Sequence, residues 1–191
     1  MKNDKTMNLV LAALMTCLVC VATMFIRIPI PFTQGYVHLG DSMVFLSVMV
    51  LGGRIGAGAA GVGSMLADLL SGYAAWAPWT LAIKFIMALI MGISVASAKK
   101  KGLYKKDGKN LPILLIAMII AGFVMCFGYY ISAVIMYGSF YTPLLSVPWN
   151  IGQFAVGIVL ANIIALALST TPASKYFSIW YNDKDKESLR A

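Results

Sequence analysis

Six apolar segments, separated by charges, prolines and glycines, occupy most of the 191 residues. A helix needs about 20 residues to cross about 30 Å of hydrocarbon. Five segments have that length or nearly so, and the second reaches 18 residues if it is counted from 36 to 53. The pattern predicts an all-α membrane protein with six transmembrane helices. The segments are 7–26, 39–51, 55–72, 79–98, 111–137 and 149–168.

Composition supports a membrane protein and argues against redox or metal chemistry. Hydrophobic residues make up 60% of the chain, against about 45 to 50% in soluble domains. The first segment lacks a small-residue cleavage site, which predicts a retained span. Cys17 and Cys20 form a C-x-x-C pair, but there is no second pair and His38 is the only histidine. The cysteines are interpreted as small buried hydrophobes, and neither a metal nor a cofactor is predicted.

Positive charge predicts the orientation of the chain. The net charge is +8, and six of the lysines lie in one loop between the fourth and fifth segments. In a six-span topology this loop and both termini share one side, which the positive-inside rule assigns to the cytoplasm. We therefore expect a membrane domain at 1–171 and a cytoplasmic tail at 172–191. No basic groove with interleaved aromatics accompanies the charge, so anionic lipid is expected as a partner and nucleic acid is not. The six lysines are Lys99, Lys100, Lys101, Lys105, Lys106 and Lys109.

The three loops on the opposite side, 27–37, 71–78 and 138–148, are rich in aromatic residues and proline. Three of the four tryptophans, Trp76, Trp79 and Trp149, fall in these loops or at their borders. An aromatic belt at the membrane interface is one interpretation. We favour loops that fold over a site and stack on a flat ligand, because two of the outer aromatics lie in the middle of a loop.

Three of the five charged residues that lie within or at the edge of apolar segments fall in the stretch 36–84. Charges in such places usually face a cavity, a partner or each other. Asp68 and Lys84 are predicted at matching depth, roughly 6 to 8 Å below the outer boundary. They either form an ion pair that fixes the register of the two helices or face a ligand cavity with Asn150 and Gln153. Asp41 begins the second segment, where it suits the positive end of the helix dipole.

Three short strings carry a resemblance to a known family: YVHLGD at 36–41, LADLLSG at 66–72 and TLAIK at 80–84. They resemble the substrate-binding S components of energy-coupling factor (ECF) vitamin transporters, in the branch of riboflavin, hydroxymethylpyrimidine and pyridoxine-type carriers. In length and hydropathy the resemblance covers nearly the whole chain. It implies a six-helix protein of the bacterial plasma membrane that binds a vitamin at its outer face, with the first outer loop as a lid.

The resemblance also implies partners: a transmembrane T subunit and two ATP-binding-cassette ATPases. The chain lacks a Walker A pattern, so it is not expected to be an enzyme, and ATP hydrolysis is assigned to the partners. Small residues on the first helix are the expected contact with the T subunit, although they are not strict alanine pairs. These residues are Ala12, Ala13, Thr16 and Cys17.

The predicted substrate site combines the outer aromatics with the polar residues of several segments. Hydroxymethylpyrimidine or a pyridoxine-type compound is the first choice of ligand, ahead of riboflavin, and other vitamins including a corrinoid remain open. The predicted site residues are Tyr36, His38, Asp41, Asp68, Tyr73, Trp76, Trp79, Lys84, Tyr130, Trp149, Asn150 and Gln153.

Two other classes of protein are weaker alternatives. An intramembrane enzyme would need a nucleophile with a base, paired acids or a metal cluster, and the apolar segments hold few such groups. A self-sufficient transporter would show an internal repeat or paired broken helices, and no convincing repeat relates 1–98 to 99–191. The glycine-rich run at 52–63 is interpreted as a helix-packing ridge and not as a phosphate-binding loop.

Overall fold

The computed structural model describes residues 2–25, 27–31, 36–101 and 110–178, with side chains from residue 5 onward. Each of the six apolar segments forms one helix, and the helix bounds lie close to those predicted. Two short strands and two 3-10 helices complete the described part. The elements are α1 Lys2–Phe25, β1 Arg27–Pro29, β2 Tyr36–His38, α2 Gly40–Leu51, α3 Gly53–Leu70, α4 Ala77–Lys100, α5 Leu111–Tyr137 and α6 Val147–Ser169, with 3-10 helices at Thr142–Ser146 and Pro172–Tyr176.

Proline and glycine determine where the helices begin and end. A proline lies in the first turn of α4, α5 and α6, where the missing N–H leaves no helical hydrogen bond unmade. Gly52, the only residue between α2 and α3, has φ +80°, and Gly138 after α5 has φ +63°. This left-handed backbone favours glycine. The chain can therefore reverse direction between α2 and α3 within one residue.

Four helical stretches are long and apolar enough to cross a membrane: Lys5–Phe25, Ala77–Lys100, Leu111–Tyr137 and Thr142–Ser169. The protein is thus a membrane protein. By contrast, α2 has 12 residues, about 18 Å of helix, and α3 with its many glycines and alanines does not reach the same hydropathy. The six-span topology and the cytoplasmic termini stay predictions.

Alternating helix directions place three connections at one end of the bundle. This hairpin end holds the strands β1 and β2, the turn at 71–76 and the loop at 138–146. The opposite tail end holds Gly52, the last turn of α4 and the 3-10 helix Pro172–Tyr176. Of the six lysines, Lys99 and Lys100 lie in the last turn of α4 and Lys101 directly follows it. Residues 102–109, with Lys105, Lys106 and Lys109, lie outside the described residues.

The first connection is a β-hairpin, which the all-α prediction did not include. Its strands are antiparallel, with Arg27 opposite His38 and Pro29 opposite Tyr36. Strands of three residues are too short to show a clear alternation of polar and apolar side chains, so the sequence pattern gave no strand signal. The predicted lid is this connection, and its tip at 32–35 lies outside the described residues.

Helix α2 lies at the centre of the bundle, and ten of its 12 residues are buried. Helix α3 packs closely on its neighbours through glycine. A Cβ added at Gly56 would lie 2.7 Å from the carbonyl oxygen of Ser47, and one at Gly63 would lie 2.6 Å from that of Thr16. Both distances are too short for a real side chain. The interpretation of the glycine-rich run as a packing ridge is therefore confirmed.

The start of the predicted tail packs against the tail end of the bundle. Phe177 is almost fully buried in the core. The N–H of Ser178 donates to the carbonyl of Val50 at 3.0 Å, and Lys99 Nζ donates to the carbonyl of Ser178 at 2.8 Å. Residues 179–191, with the fourth tryptophan Trp180, lie outside the described residues, and the cytoplasmic location of 172–191 stays a prediction.

Candidate functional site

A cavity of about 550 Å³, counted with its open mouth, lies at the hairpin end. Its wall comes from the hairpin, the α3–α4 turn, α5 and α6, and four of its residues are tyrosine or tryptophan. The lining residues are Ile30, Tyr36, His38, Asp68, Trp76, Thr80, Tyr129, Ala133, Tyr137, Ser146, Asn150 and Gln153.

Half of the predicted site residues line this cavity, although distant segments supply them. The hairpin, the end of α3, the following turn and the first two turns of α6 converge there. Lining a cavity does not test ligand binding, so the assignment of these residues to a substrate stays a prediction. The six are Tyr36, His38, Asp68, Trp76, Asn150 and Gln153.

The other six predicted residues lie elsewhere. Tyr73 packs its ring on that of Tyr36, with centroids 4.6 Å apart. Trp79 packs against the hydrophobic core, and Trp149 is 43% exposed on the surface of the bundle. The hydroxyl of Tyr130 donates to the carbonyl of Phe140 at 3.3 Å. The remaining two, Asp41 and Lys84, are buried beneath the cavity.

The pairing expected for Lys84 is corrected by the structure. Lys84 Nζ forms a fully buried salt bridge with Asp41 Oδ1 and not with Asp68. It also lies 3.0 Å from the sulfur of Met125 and 5.3 Å from the centroid of the Tyr129 ring, a cation–π distance. The prediction relied on the depth of Asp68 and Lys84 along their helices, which does not give the direction in which each side chain leaves its helix. Asp41 therefore does more than complement the start of α2.

Gln153 connects this ion pair to the hairpin. Its Nε2 donates to Asp41 Oδ2 at 2.9 Å, and its Oε1 accepts from the backbone N–H of His38 at 3.0 Å. The two bonds fix which end of the amide faces the carboxylate, since only the nitrogen can donate. Both Asp41 oxygens are thus paired, and strand β2 is tied to α6.

Asp68 lies at the cavity wall in a different environment. Its side chain is 3% exposed, and its Oδ1 accepts from the hydroxyl of Tyr36 at 2.6 Å. Burial, and next to it the charge of Asp68, raise the pKa of Tyr36, which keeps the hydroxyl protonated as the donor. Oδ2 of Asp68 and the indole Nε1 of Trp76 are buried and have no hydrogen-bond partner among the described residues.

His38 is a neutral member of the lining. Burial, and after it the positive charge of Lys84, lower the pKa of His38 to about 3. Its Nδ1 accepts from the backbone N–H of Gly40 at 2.9 Å, so the ring proton belongs on Nε2. His38 can therefore offer a donor to the cavity without a charge. Within the described ranges, no three side chains of His, Cys, Asp or Glu lie close enough to hold a metal ion.

Sequence reasoning missed six lining residues, and helical spacing could have found several of them. Tyr129, Ala133 and Tyr137 recur every fourth residue along one face of α5, whereas the predicted Tyr130 is about 100° away from Tyr129. Thr80 lies one turn after Trp76 in the same way. Ile30 and Ser146 lie in connections, where no periodicity applies. The six are Ile30, Thr80, Tyr129, Ala133, Tyr137 and Ser146.

The residues predicted to contact a T subunit divide into two faces of α1. Ala12 and Thr16 are half-buried, and the carbonyl of Thr16 is the atom that approaches Gly63 of α3. Ala13 and Cys17 are exposed. Only the second pair thus offers an open surface of small residues, and its contact with a partner stays a prediction.

A helical membrane protein with a partly open, aromatic and polar cavity at one end belongs to the class of membrane proteins that bind a small solute. Comparison with known proteins identifies the family. The family model described as "ECF-type riboflavin transporter, S component" matches residues 3–170. The chain belongs to this family, a transporter component and not an enzyme family, and the resemblance seen in the sequence is confirmed. It is an S component of an ECF vitamin transporter.

Two solved structures have the fold of this family, and one curated relative is an uncharacterized protein. An uncharacterized protein in the gap 3′ region of Pyrococcus woesei is 39% identical over 120 residues, which cover 63% of this chain and 74% of the relative. The crystal structure of the S component for biotin from an ECF-type ABC transporter superposes with TM-score 0.70 at 18% identity, covering 93% of this chain and 98% of that one. The S component of a bacterial ECF transporter gives TM-score 0.64 at 21% identity, covering 86% and 96%. These two structures support the fold.

Proposed function

We propose that the chain binds riboflavin in the cavity at the hairpin end and delivers it for transport by an ATP-driven complex. The observation that carries this proposal is the cavity itself, whose wall combines tyrosine and tryptophan rings with buried polar atoms that have no described partner. Ligand sites are typically apolar and aromatic with a few convergent polar groups. A flat, heteroaromatic vitamin suits both features.

The family match favours riboflavin over the sequence-based first choice. No observation supports hydroxymethylpyrimidine or a pyridoxine-type ligand, whereas the matching family is described by riboflavin transport. Riboflavin is therefore the ligand that we propose.

The charge of the cavity argues against anionic vitamins such as biotin. With His38 neutral, Asp68 is the one formally charged group among the described lining residues. The undescribed hairpin tip at 32–35 adds no charged residue, since it reads FTQG. A carboxylate in this cavity would meet the negative charge of Asp68, and no described lining residue carries a positive charge to compensate it. The nearest cations, Arg27 and Lys84, already act on Asp68 itself. The likeness to the S component for biotin thus concerns the fold and not this site.

We infer that the hairpin end faces the outside of a bacterial plasma membrane and that the termini are cytoplasmic. Lys99, Lys100 and Lys101 at the tail end support this orientation through the positive-inside rule. Helices α2 and α3 would complete six spans, surrounded in the membrane by the other four helices. A transmembrane T subunit and two ATP-binding-cassette ATPases would supply the energy, and anionic lipid would contact the lysines.

A ligand titration tests the proposed substrate. Purified protein is mixed in detergent with riboflavin, pyridoxine, hydroxymethylpyrimidine or biotin, and binding is followed by tryptophan fluorescence and by calorimetry. Riboflavin should bind at a one-to-one ratio and quench the fluorescence, because Trp76 lies in the cavity wall. Binding of another of the four vitamins, with none of riboflavin, would reject the assignment.

Reconstitution tests the proposed partners. Vesicles that contain the chain alone should not accumulate vitamin, whereas vesicles with the T subunit and ATPases should do so when ATP is present. An Ala13→Trp variant should keep ligand binding and lose co-purification with the T subunit, because Ala13 is exposed and forms a pair of small residues with Cys17 one turn later. Robust uptake by the chain alone would instead indicate a self-sufficient transporter.

A further inference from the structure

We propose that Asp68 determines which ligands enter, by requiring an N–H donor from the ligand at its Oδ2 atom, and that the ligand presents an amide- or imide-type edge to this wall. The inference rests on the proposed function, because it describes how the same cavity would read a riboflavin-like ring. It assigns Asp68 and Trp76 different roles from those of Asp41 and Lys84 below them.

The carboxylate of Asp68 is only half satisfied. An ionised carboxylate has about four acceptor positions on its two oxygens. Tyr36 uses Oδ1, while Oδ2 is buried and has no hydrogen-bond partner among the described residues. A buried acceptor without a donor is costly. A ligand that donates a hydrogen bond to Oδ2 would remove that cost, so it should bind more tightly than a ligand of the same shape without the donor.

The lysine that sequence reasoning assigned to this carboxylate is not available. Lys84 is fully buried and forms its salt bridge with Asp41. Thr80 lies near Asp68, and its hydroxyl accepts from the hydroxyl of Tyr129 at 3.3 Å. The Thr80 hydroxyl is also placed to donate to the Asp68 carboxylate, so it can compete with a ligand donor, and Thr80→Val removes this competitor.

Trp76 adds a complementary atom on the same cavity wall. Its Nε1–H is buried and has no hydrogen-bond partner among the described residues, and an indole N–H can only donate. Among the described residues that line the cavity, one buried acceptor and one buried donor are thus without a partner. A ligand edge in which an N–H adjoins a C=O, as in an amide or imide, supplies both partners. A hydroxyl or a lone ring nitrogen supplies a weaker match.

The same carboxylate connects the ligand to the hairpin. The ring of Tyr36 lies between those of Tyr73 and His38, at centroid distances of 4.6 and 5.6 Å, and its hydroxyl donates to Oδ1 of Asp68. A ligand donor on Oδ2 leaves this bond intact. Asp68 would then hold the ligand with one oxygen and strand β2 with the other.

The experiment compares riboflavin with 3-methylriboflavin, in which a methyl group replaces the imide hydrogen. Titrations use the wild-type chain, Asp68→Leu, Tyr36→Phe and Thr80→Val. The wild type should bind riboflavin at least tenfold more tightly than the methylated form. Asp68→Leu should reduce this ratio to less than threefold, whereas Tyr36→Phe and Thr80→Val should keep it, because both leave Oδ2 in place.

Each result is decisive. If the methyl group acted only by steric obstruction, Asp68→Leu would retain the full ratio, and the proposal would be wrong. If only Thr80→Val lost the preference for riboflavin over 3-methylriboflavin, Thr80 and not Asp68 would be the residue that recognises the ligand N–H. Equal binding of the two flavins by the wild type overturns the Asp68 role and leaves the proposed function standing. Binding of neither flavin by the wild type overturns the proposed function and the Asp68 role together.

Discussion

Two buried carboxylates, one below the cavity and one in its wall, have opposite surroundings. Asp41 pairs one oxygen with Lys84 and the other with the amide of Gln153. Asp68 has one oxygen on a tyrosine hydroxyl and the other without a described partner. Both are charges within apolar helices, and sequence alone treats them alike. The difference teaches that the hydrogen bonds and ion pairs of a buried acid, and not its charge alone, distinguish one that is paired within the fold from one that has an oxygen left for the ligand that we propose.

Close packing encloses the lower carboxylate. A Cβ added at Gly157 of α6 would lie 2.8 Å from Cβ of Asp41, so α6 passes directly over the start of α2. Asp41 and Lys84 have fully buried side chains. A ligand could reach them only by separating these helices, whereas Asp68 borders an existing cavity.

Breaking the lower pair should have the largest effect on stability. Lys84→Met leaves the carboxylate of Asp41 buried without its cation, which we expect to cost about 3 to 5 kcal/mol. Thermal unfolding in detergent measures the loss. The double variant Asp41→Asn/Lys84→Met should recover much of it, because no buried charge then remains. A single variant as stable as the wild type would show that the pair is not structural and would break the comparison.

Adding a methyl group to the close contact between α6 and Asp41 should have the next largest effect on stability. Gly157→Ala places a methyl group against Asp41, and we expect a loss of about 1 to 3 kcal/mol from overpacking. Gly152→Ala on the same helix is the matched control, since nothing lies within 4 Å of its added Cβ. The two variants are compared by thermal unfolding. Equal stability of both would mean that α6 does not enclose the carboxylate as described.

Removing the free donor of the wall should weaken binding and leave stability nearly unchanged. Trp76→Phe keeps an aromatic ring and loses the indole N–H, so riboflavin affinity should fall about tenfold, or about 1.4 kcal/mol. Trp149→Phe is the control, because Trp149 is 43% exposed and does not line the cavity. Its affinity should stay within about twofold. If a fluorescence titration showed a larger loss of affinity in Trp149→Phe than in Trp76→Phe, Trp76 would not be part of the binding site.

Titration of His38 should give the smallest effect. Its folded pKa of about 3 lies below the ordinary 6.5, so the unfolded chain binds the proton more readily. Stability is then unaffected above about pH 6.5 and falls as the pH drops below that value, by less than about 1 kcal/mol at pH 6. The charges that face His38 are Lys84 and Asp41. His38→Asn, whose side-chain oxygen can accept from Gly40, should remove this pH dependence from the thermal unfolding curve.

Sequence reasoning located the helices well because length, proline and glycine act locally. The start of α4 beside Pro78 and the end of α2 beside Gly52 follow from such signals. The strands at 27–29 and 36–38 gave no signal, because their pairing depends on residues from both sides of a turn.

The site was harder to predict because its geometry depends on how helices rotate about their axes. For Lys84, sequence reasoning considered Asp68 or a ligand as the partner and missed Asp41, since depth along a helix does not give the direction of a side chain. Tyr130 was chosen where Tyr129 lines the cavity, which is a shift of one residue. Asn150 and Gln153, which are one turn apart on α6, were placed correctly at the cavity, and their contact with ligand stays a prediction.

The most direct test is an experimental structure of the chain with bound riboflavin. Our account predicts the flavin in the cavity at the hairpin end, with an N–H within hydrogen-bond distance of Asp68 Oδ2. The salt bridge between Asp41 and Lys84 should be the same as in the ligand-free protein. A flavin that contacts Lys84 directly with the salt bridge broken, or one bound outside this cavity, would contradict our account, in which Asp41 is structural and Asp68 binds the ligand.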